Sequence, residues 1–236
     1  MQAVTNVYSY EILEKEQHDL IEQAAAVFGH TFVGIEVAGK WVQEPMISSL
    51  KLTYEDWSQF CKEYIEAVVD QGFCAVALDE QRRVVGALAA DSNRFELHGE
   101  PIFSGSFEKM NVVQEALEDI DHRFLEDYKH RYGKELADGE ILHIFLLGMM
   151  ATHHRHEAVE GLSELLATRA REAGLRMMLA EATNPKSMSL LERYQGMTKY
   201  VDRHGDYIVH KYATNEQLNM IPAEVADGTY IITCEL

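Results

Sequence analysis

Two apolar segments, each running into a helix-like stretch, constrain this chain more than anything else in it. The first, residues 141–150, is almost unbroken in apolar side chains, as expected of a strand covered on both faces. It feeds a helix at about 157–173 that carries Leu162, Leu165, Leu166, Ala170 and Ala173 on one side, with Gly174 placed to close it. The second segment, Met177 to Ala182, ends in Thr183-Asn184-Pro185, enters a short helix at about 187–194 and stops at Gly196. A strand, a crossover helix and a second strand place the two strands parallel in one sheet. The spacing predicts an α/β (mixed α+β) chain whose central mixed sheet holds this pair, flanked by helices.

The flanking sequence reads as hairpins and amphipathic helices. A strand at 7–12 is followed by a helix at about 17–28, and 29–49 reads as irregular. Thr53 and Asp56 have capping-box spacing, with Asp in the usual Glu place. Trp57, Phe60, Cys61, Tyr64, Ile65, Val68 and Val69 then recur at helical spacing up to Gly72. Strands at 73–78 and 83–90 flank a short turn, which predicts a hairpin. A long connection, 92–106, holds Glu96 and Glu100 and precedes another amphipathic helix that ends before Gly133. Two last strands, at about 206–212 and 229–235, enclose a polar loop with Pro222. With no repeat or linker-like tract, residues 1–236 are expected to form one domain.

Charge narrows the partners. A formal net charge of -18 disfavours nucleic acid, anionic membranes and acidic substrates, and it draws cations. Cys61, Cys74 and Cys234 have no framework spacing, which fits a reducing, cytoplasmic setting. No secretory leader or stretch of 18 apolar residues is present. The run His153-His154-Arg155-His156 cannot turn every side chain toward one ion, so no metal site is expected. A phosphate-facing role and a solvated loop both remain open for it.

The strand at 141–150, the loop after it and the segment from Asn184 to Gly196-Met197 resemble the cofactor-binding half of the GNAT acetyltransferases. That resemblance implies a GNAT-like acyl-CoA N-acyltransferase fold with acetyl-CoA lying between splayed parallel strands. It implies that backbone groups of Leu147, Gly148, Met149 and Met150 hold the thioester end, with an amide of 146–150 serving the oxyanion. It places the pyrophosphate against the following helix start, among Arg155, His156, Ala158, Gly161, Leu162 and Ser163. The loop departs from the family signature. Aligning on Ala158, Gly161 and Ser163 lacks the leading basic or amide residue, and aligning on Arg155 puts Glu160 where a small residue is usual. Asn184 and Ser187 match the second cofactor motif, with Gln195 as an extra residue and Met197 in place of phenylalanine. Tyr194 is either a core aromatic or a residue near the departing thiolate.

Gln43-Glu44-Pro45-Met46, together with Thr183 and Ser187 four residues apart, is similar to the arylalkylamine branch of that family. The resemblance implies Glu44 as general base, with Thr183 and Ser187 assisting proton traffic. Such a carboxylate needs a partly dry surrounding or a water relay. The implied reaction moves the acetyl group of acetyl-CoA to a small cationic amine of dopamine, tyramine or serotonin type. Phe32, Trp41, Trp57, Phe60 and Phe103 are the aromatic pocket candidates. Polyamine or aminosugar acceptors, and a non-catalytic binding protein on the same fold, are the alternatives. The protein is expected to be a monomer or homodimer.

Overall fold

The computed structural model describes residues 8–93, 97–151 and 155–236. The chain opens with β1 (Ser9–Ile12) and α1 (His18–Val33). It then forms a small hairpin, β2 (Ile35–Val37) and β3 (Lys40–Val42), and a short helix, α2 (Pro45–Leu50). The stretch 29–49 is therefore ordered, against the sequence expectation. Strands of three residues carry too little alternation to be read, and a six-residue helix shows no full period. Their boundaries have local causes. Gly34 stops α1 at a φ of 149°, where an added Cβ would lie 2.2 Å from the Trp41 ring. Glu44 caps α2, and Pro45 occupies its first turn, where the missing N–H costs nothing.

The remaining helices and strands follow the periodicities. α3 (Tyr54–Val68) is capped by Thr53, whose hydroxyl accepts from the Asp56 N–H at 3.1 Å and donates to the Asp56 carboxylate at 2.8 Å. β4 (Cys74–Leu78) and β5 (Val84–Asp91) form the expected hairpin, and α4 (Met110–Tyr132) follows. The central crossover is β6 (Ile141–Met149), α5 (Arg155–Glu172) and β7 (Met177–Ala182). α6 (Pro185–Gln195), β8 (Thr198–Lys199), β9 (Val209–Lys211) and β10 (Gly228–Glu235) complete the chain. The penultimate strand is thus shorter than 206–212, and β8 was not foreseen. Among the described residues no helix is long and apolar enough to cross a membrane.

The large sheet runs β1-β4-β5-β6-β7-β10-β8, with β9 also paired to β10. Every ladder is antiparallel except β6–β7. That parallel ladder lasts for three residue pairs, ending at His143 and Leu179, and then the strands part. Alternate backbone groups of 144–149 that face β7 consequently have no strand to pair with. On its other edge β6 carries a bulge: Ala90 pairs with Ile144 and Ala89 with Leu146, leaving Phe145 as the extra residue. The bulge turns the β6 side chains after it relative to those before.

Alternation along β7 separates the two layers. Met178, Ala180 and Ala182 pack with Leu166 and Ala170 of α5. Met177 and Leu179 pack with Ile120 and Phe124 of α4. Glu181 and Thr183 share the second orientation by the two-residue period. The α1, α3 and α4 side of the sheet therefore receives the polar side chains at the end of β7.

Candidate active site

The parting of β6 and β7 opens a cavity of about 790 Å³ that reaches both faces of the sheet. On the α1–α4 side its wall includes Phe32, Glu44, Trp57 and Phe145. On the α5–α6 side it includes His156, Asn184, Lys186, Ser187 and Arg193. A dry, largely aromatic chamber thus opens into a polar mouth that carries cationic side chains.

Glu44 stands in the dry half. Its backbone N–H donates to the Phe32 carbonyl at 2.8 Å, tying it to the end of α1. Its Oε2 accepts from the Ile47 N–H at 2.6 Å, the N-cap bond of α2. Oε1 is buried and has no hydrogen bond of normal geometry. Burial pushes the carboxyl above its ordinary pKa, against the Ile47 amide, the neighbouring Thr183 hydroxyl and the Met46 amide, which favour the charged form. A buried carboxyl with a raised pKa, held by backbone amides beside the Thr183 hydroxyl in the cavity wall, is chemically equipped to accept a proton.

Thr183 and Ser187 flank it on the same cavity wall. The Tyr212 hydroxyl, itself 2.9 Å from that of Thr229, donates to the Thr183 carbonyl at 2.7 Å and fixes the end of β7. Sequence reading gave Tyr212 no part in the site; its position in the polar loop before β10 carries no local signal. Asn184 caps α6, its Oδ1 accepting from the Lys186 and Ser187 N–H groups at 3.0 Å each. The Ser187 hydroxyl donates to the Asn184 carbonyl at 3.0 Å. Tyr194 does not line the cavity; its hydroxyl is 2.8 Å from Nδ1 of His156, linking α6 to the start of α5.

The residues of the β6–α5 junction face several ways. Leu147 and Met149 line the cavity, whereas Gly148 faces α1, where a Cβ would lie 2.8 Å from the Phe28 ring. Met150 packs against the α1–α3 core, its N–H donating to Val85. Ala158, Leu162 and Ser163 are buried between α5 and the sheet and leave the cavity wall to His156. Gly161 is filled from behind: a Cβ there would lie 2.1 Å from the ring of Tyr10, whose hydroxyl donates to the Glu157 carbonyl at 2.9 Å. The glycine therefore lets α5 pack closely on the sheet. His153 and His154 lie outside the described residues, as does the side chain of Arg155.

Of the five aromatic candidates, Phe32 and Trp57 line the cavity. Phe60 stacks behind Trp57 at 5.1 Å, Phe103 lies behind Phe60, and Trp41 is exposed on the β2–β3 hairpin. Phe145, the bulged residue, supplies the third ring of the wall. Glu100 is exposed, and Glu96 lies outside the described residues.

A second polar group, which sequence spacing could not reveal, sits where the strands begin to part. His143 is 2.7 Å from Glu181 through Nε2 and 3.3 Å from Asp91 through Nδ1. Tyr64 donates to Asp91 at 2.7 Å. Burial opposes the imidazolium, but Glu181 and Asp91 outweigh it and hold the His143 pKa well above its usual value. Burial likewise opposes the Asp91 carboxylate, and His143, Tyr64 and the Asn93 amide outweigh it, so its pKa is lowered. Asp121 faces this group from α4. Burial first, and then the Glu181 carboxylate, raise its pKa strongly.

No protein-family model matches the sequence, and no curated protein is significantly similar to it. Solved structures do match over nearly the whole chain. A putative arylalkylamine N-acetyltransferase 7 from the yellow fever mosquito Aedes aegypti is 17% identical, with a TM-score of 0.67 over 97% of this chain and 87% of that one. The C-terminal condensation domain of Ebony, in complex with beta-alanyl-dopamine, is 16% identical, with a TM-score of 0.64 over 97% and 99%. A Drosophila melanogaster polyamine N-acetyltransferase that forms N-acetylagmatine is 17% identical, with a TM-score of 0.57 over 97% and 100%. Identity this low establishes the fold: a mixed sheet with one parallel splayed pair, as in the GNAT acetyltransferases.

Proposed function

We propose that this chain, a GNAT-fold protein, transfers the acetyl group of acetyl-CoA to a small primary amine. The observation that carries the reading is Glu44, a buried carboxyl with a raised pKa beside the Thr183 hydroxyl, in the cavity that crosses the strand splay. Both the likeness to amine N-acetyltransferases and the negative formal charge support a cationic acceptor.

In this reading Glu44 removes the proton of the bound ammonium, directly or through water held by Thr183 and Ser187. Acetyl-CoA supplies an acetyl group activated as a thioester. The polar mouth suits its anionic arm, since Lys186 and Arg193 stand two turns apart on α6 with His156 opposite, and neither has a carboxylate partner among the described residues. Unpaired backbone groups of β6 beyond the bulge can donate to the developing negative charge on the carbonyl oxygen. In the same reading Tyr194, hydrogen-bonded to His156 of the cavity wall, acts through that histidine to return a proton to the leaving sulfur. Phe32, Trp57 and Phe145 favour an acceptor with an aromatic ring, so the arylalkylamines are the preferred class within this proposal.

The test is thiol release from acetyl-CoA with dopamine, tyramine, serotonin, spermidine and glucosamine, alongside Glu44→Gln. Turnover on aromatic amines that collapses in the variant is the expected result. Turnover that survives the substitution overturns Glu44 as the base, and no release with any amine overturns the activity.

A further inference from the structure

Tyr212 does not line the cavity and has no part in the mechanism above. It is 1% exposed, in the loop between β9 and β10, and its backbone N–H donates to the Asp227 carbonyl at 3.1 Å. Its hydroxyl reaches across to β7. The β7–β10 ladder ends at the Ala182–Tyr230 pair, and one residue later the Thr183 carbonyl accepts the Tyr212 O–H at 2.7 Å. A carbonyl cannot donate, so the single proton of the phenol is committed there. The Thr229 hydroxyl, fully buried and 2.9 Å away, must then donate to the phenol oxygen. Both protons are thereby assigned.

Those partners are the neighbours of Glu44. The Thr183 side chain lies against the Glu44 carboxyl and favours its charged form. Thr229 is also 3.6 Å from the sulfur of Met46, which follows Glu44 by two residues at the start of α2. Contacts therefore close a ring, from Glu44 and Met46 through Thr229 of β10 and Tyr212 to Thr183, and back to Glu44. Burial first, and then the Glu44 charge, push the Tyr212 pKa up and keep the phenol a neutral donor. A phenylalanine would fill the same space. Only the hydroxyl fixes where the end of β7 lies relative to α2, the two segments that bring Thr183 and Glu44 together.

We infer that Tyr212, oriented by Thr229, is a positioning residue that holds the end of β7 so that the Thr183 hydroxyl lies on the Glu44 carboxyl while that group takes the ammonium proton. The inference rests on the amine-acetyltransferase reading and adds to it a determinant outside the cavity. Tyr212 touches neither substrate nor cofactor and acts through the Thr183 backbone. Misplacing a reacting group by about 1 Å can cost about 100-fold in rate, which gives one buried hydrogen bond to this carbonyl its leverage.

The experiment compares the full-length wild type, Tyr212→Phe, Thr183→Ala and the double variant in steady-state assays with acetyl-CoA and the best amine of the panel above. Tyr212→Phe is expected to lower kcat about 10- to 100-fold and to leave the KM for acetyl-CoA within about twofold. The acid limb of the kcat/KM profile should move to higher pH, because Thr183 no longer supports the Glu44 carboxylate. The other partners of Glu44, the Ile47 and Met46 amides, do not titrate. The double variant should lose no more than Thr183→Ala alone, since both changes break one contact. An unchanged kcat, an unmoved acid limb or additive losses overturn the inference. If Tyr212→Phe does not fold, Thr229→Val, which removes the orienting hydroxyl, decides. A smaller fall in kcat with the same shift supports the inference, and unchanged kinetics overturn it. If the wild type acetylates no amine, the transferase reading fails, and the pH dependence of stability decides the positioning role. The Glu44-dependent fall, taken as the difference between each protein and its Glu44→Gln variant, should extend to higher pH in Tyr212→Phe. A fall at unchanged pH overturns that role.

Discussion

Two polar groups, Glu44 in the cavity wall and the His143 cluster behind it, are both buried and yet hold their acids in opposite states. Glu44 has backbone amides and the Thr183 hydroxyl against it but no cation, and its pKa rises. Asp91 has an imidazolium and a tyrosine hydroxyl on its carboxylate, and its pKa falls. Burial is common to both, so partners decide the direction. Glu44 has only neutral partners, whereas Asp91 has a cation against it.

Substitutions can break this contrast at either end, and the largest effect is expected at Glu44. Glu44→Gln should lower kcat by about 10²–10⁴-fold, the usual contribution of a positioned base, in single-turnover and steady-state assays. The same change should leave stability near neutral pH unchanged or raised, because the Gln carbonyl still accepts from Ile47 and a buried charge is gone. Linkage sharpens the point. The native state holds the Glu44 proton above pH 4.5 while the unfolded state has lost it, so stability falls as pH rises from there through the raised pKa. Urea titrations across pH should show that fall in the wild type and a flatter profile in Glu44→Gln.

At the other end, His143→Gln leaves Asp91 and Glu181 buried without their cation, and a loss of about 3–5 kcal/mol is expected. The raised His143 pKa stabilises the wild type below pH 6.5, and that contribution disappears as pH rises through the folded value. Calorimetric melting from pH 6 to 9 checks this. Equal melting of variant and wild type at pH 6 would remove the charge-holding role. A smaller effect, about 1–3 kcal/mol, is expected of Gly161→Ala, since Tyr10 must give way. If the glycine is a packing residue, the KM for acetyl-CoA should move little once the protein is folded. The smallest shift, a severalfold rise in that KM at low salt that shrinks at high salt, is expected for Lys186→Ala or Arg193→Ala.

The central crossover was legible in sequence because its strands are apolar on both faces and its helices have closing glycines. Thr53 and Asp56 likewise announced α3. The β2–β3 hairpin and α2 were missed because three- and six-residue elements are shorter than any period that could reveal them. Glu44 was one acid among 39 and drew attention only through its Pro45 neighbour and a family resemblance. The His143 group was invisible for a different reason. Asp91 and His143 are cross-strand partners, and Glu181 and Asp121 arrive from β7 and α4, so only register and packing unite them. Gly161 has a packing requirement that its sequence neighbours do not announce, since the ring it accommodates belongs to Tyr10 at the other end of the chain.

The shortness of the β6–β7 ladder bears on how the molecule fails. Three residue pairs join these strands, against six for β5–β6 and six for β7–β10. The sheet is two well-knit leaves fastened at one end, and the cavity passes through the gap. Warming loosens the weakest seam first, and local openings of this kind cost less than global unfolding. Catalytic capacity should therefore vanish at a temperature where far-ultraviolet dichroism still reports intact helices and strands, making activity the finer thermometer of the two.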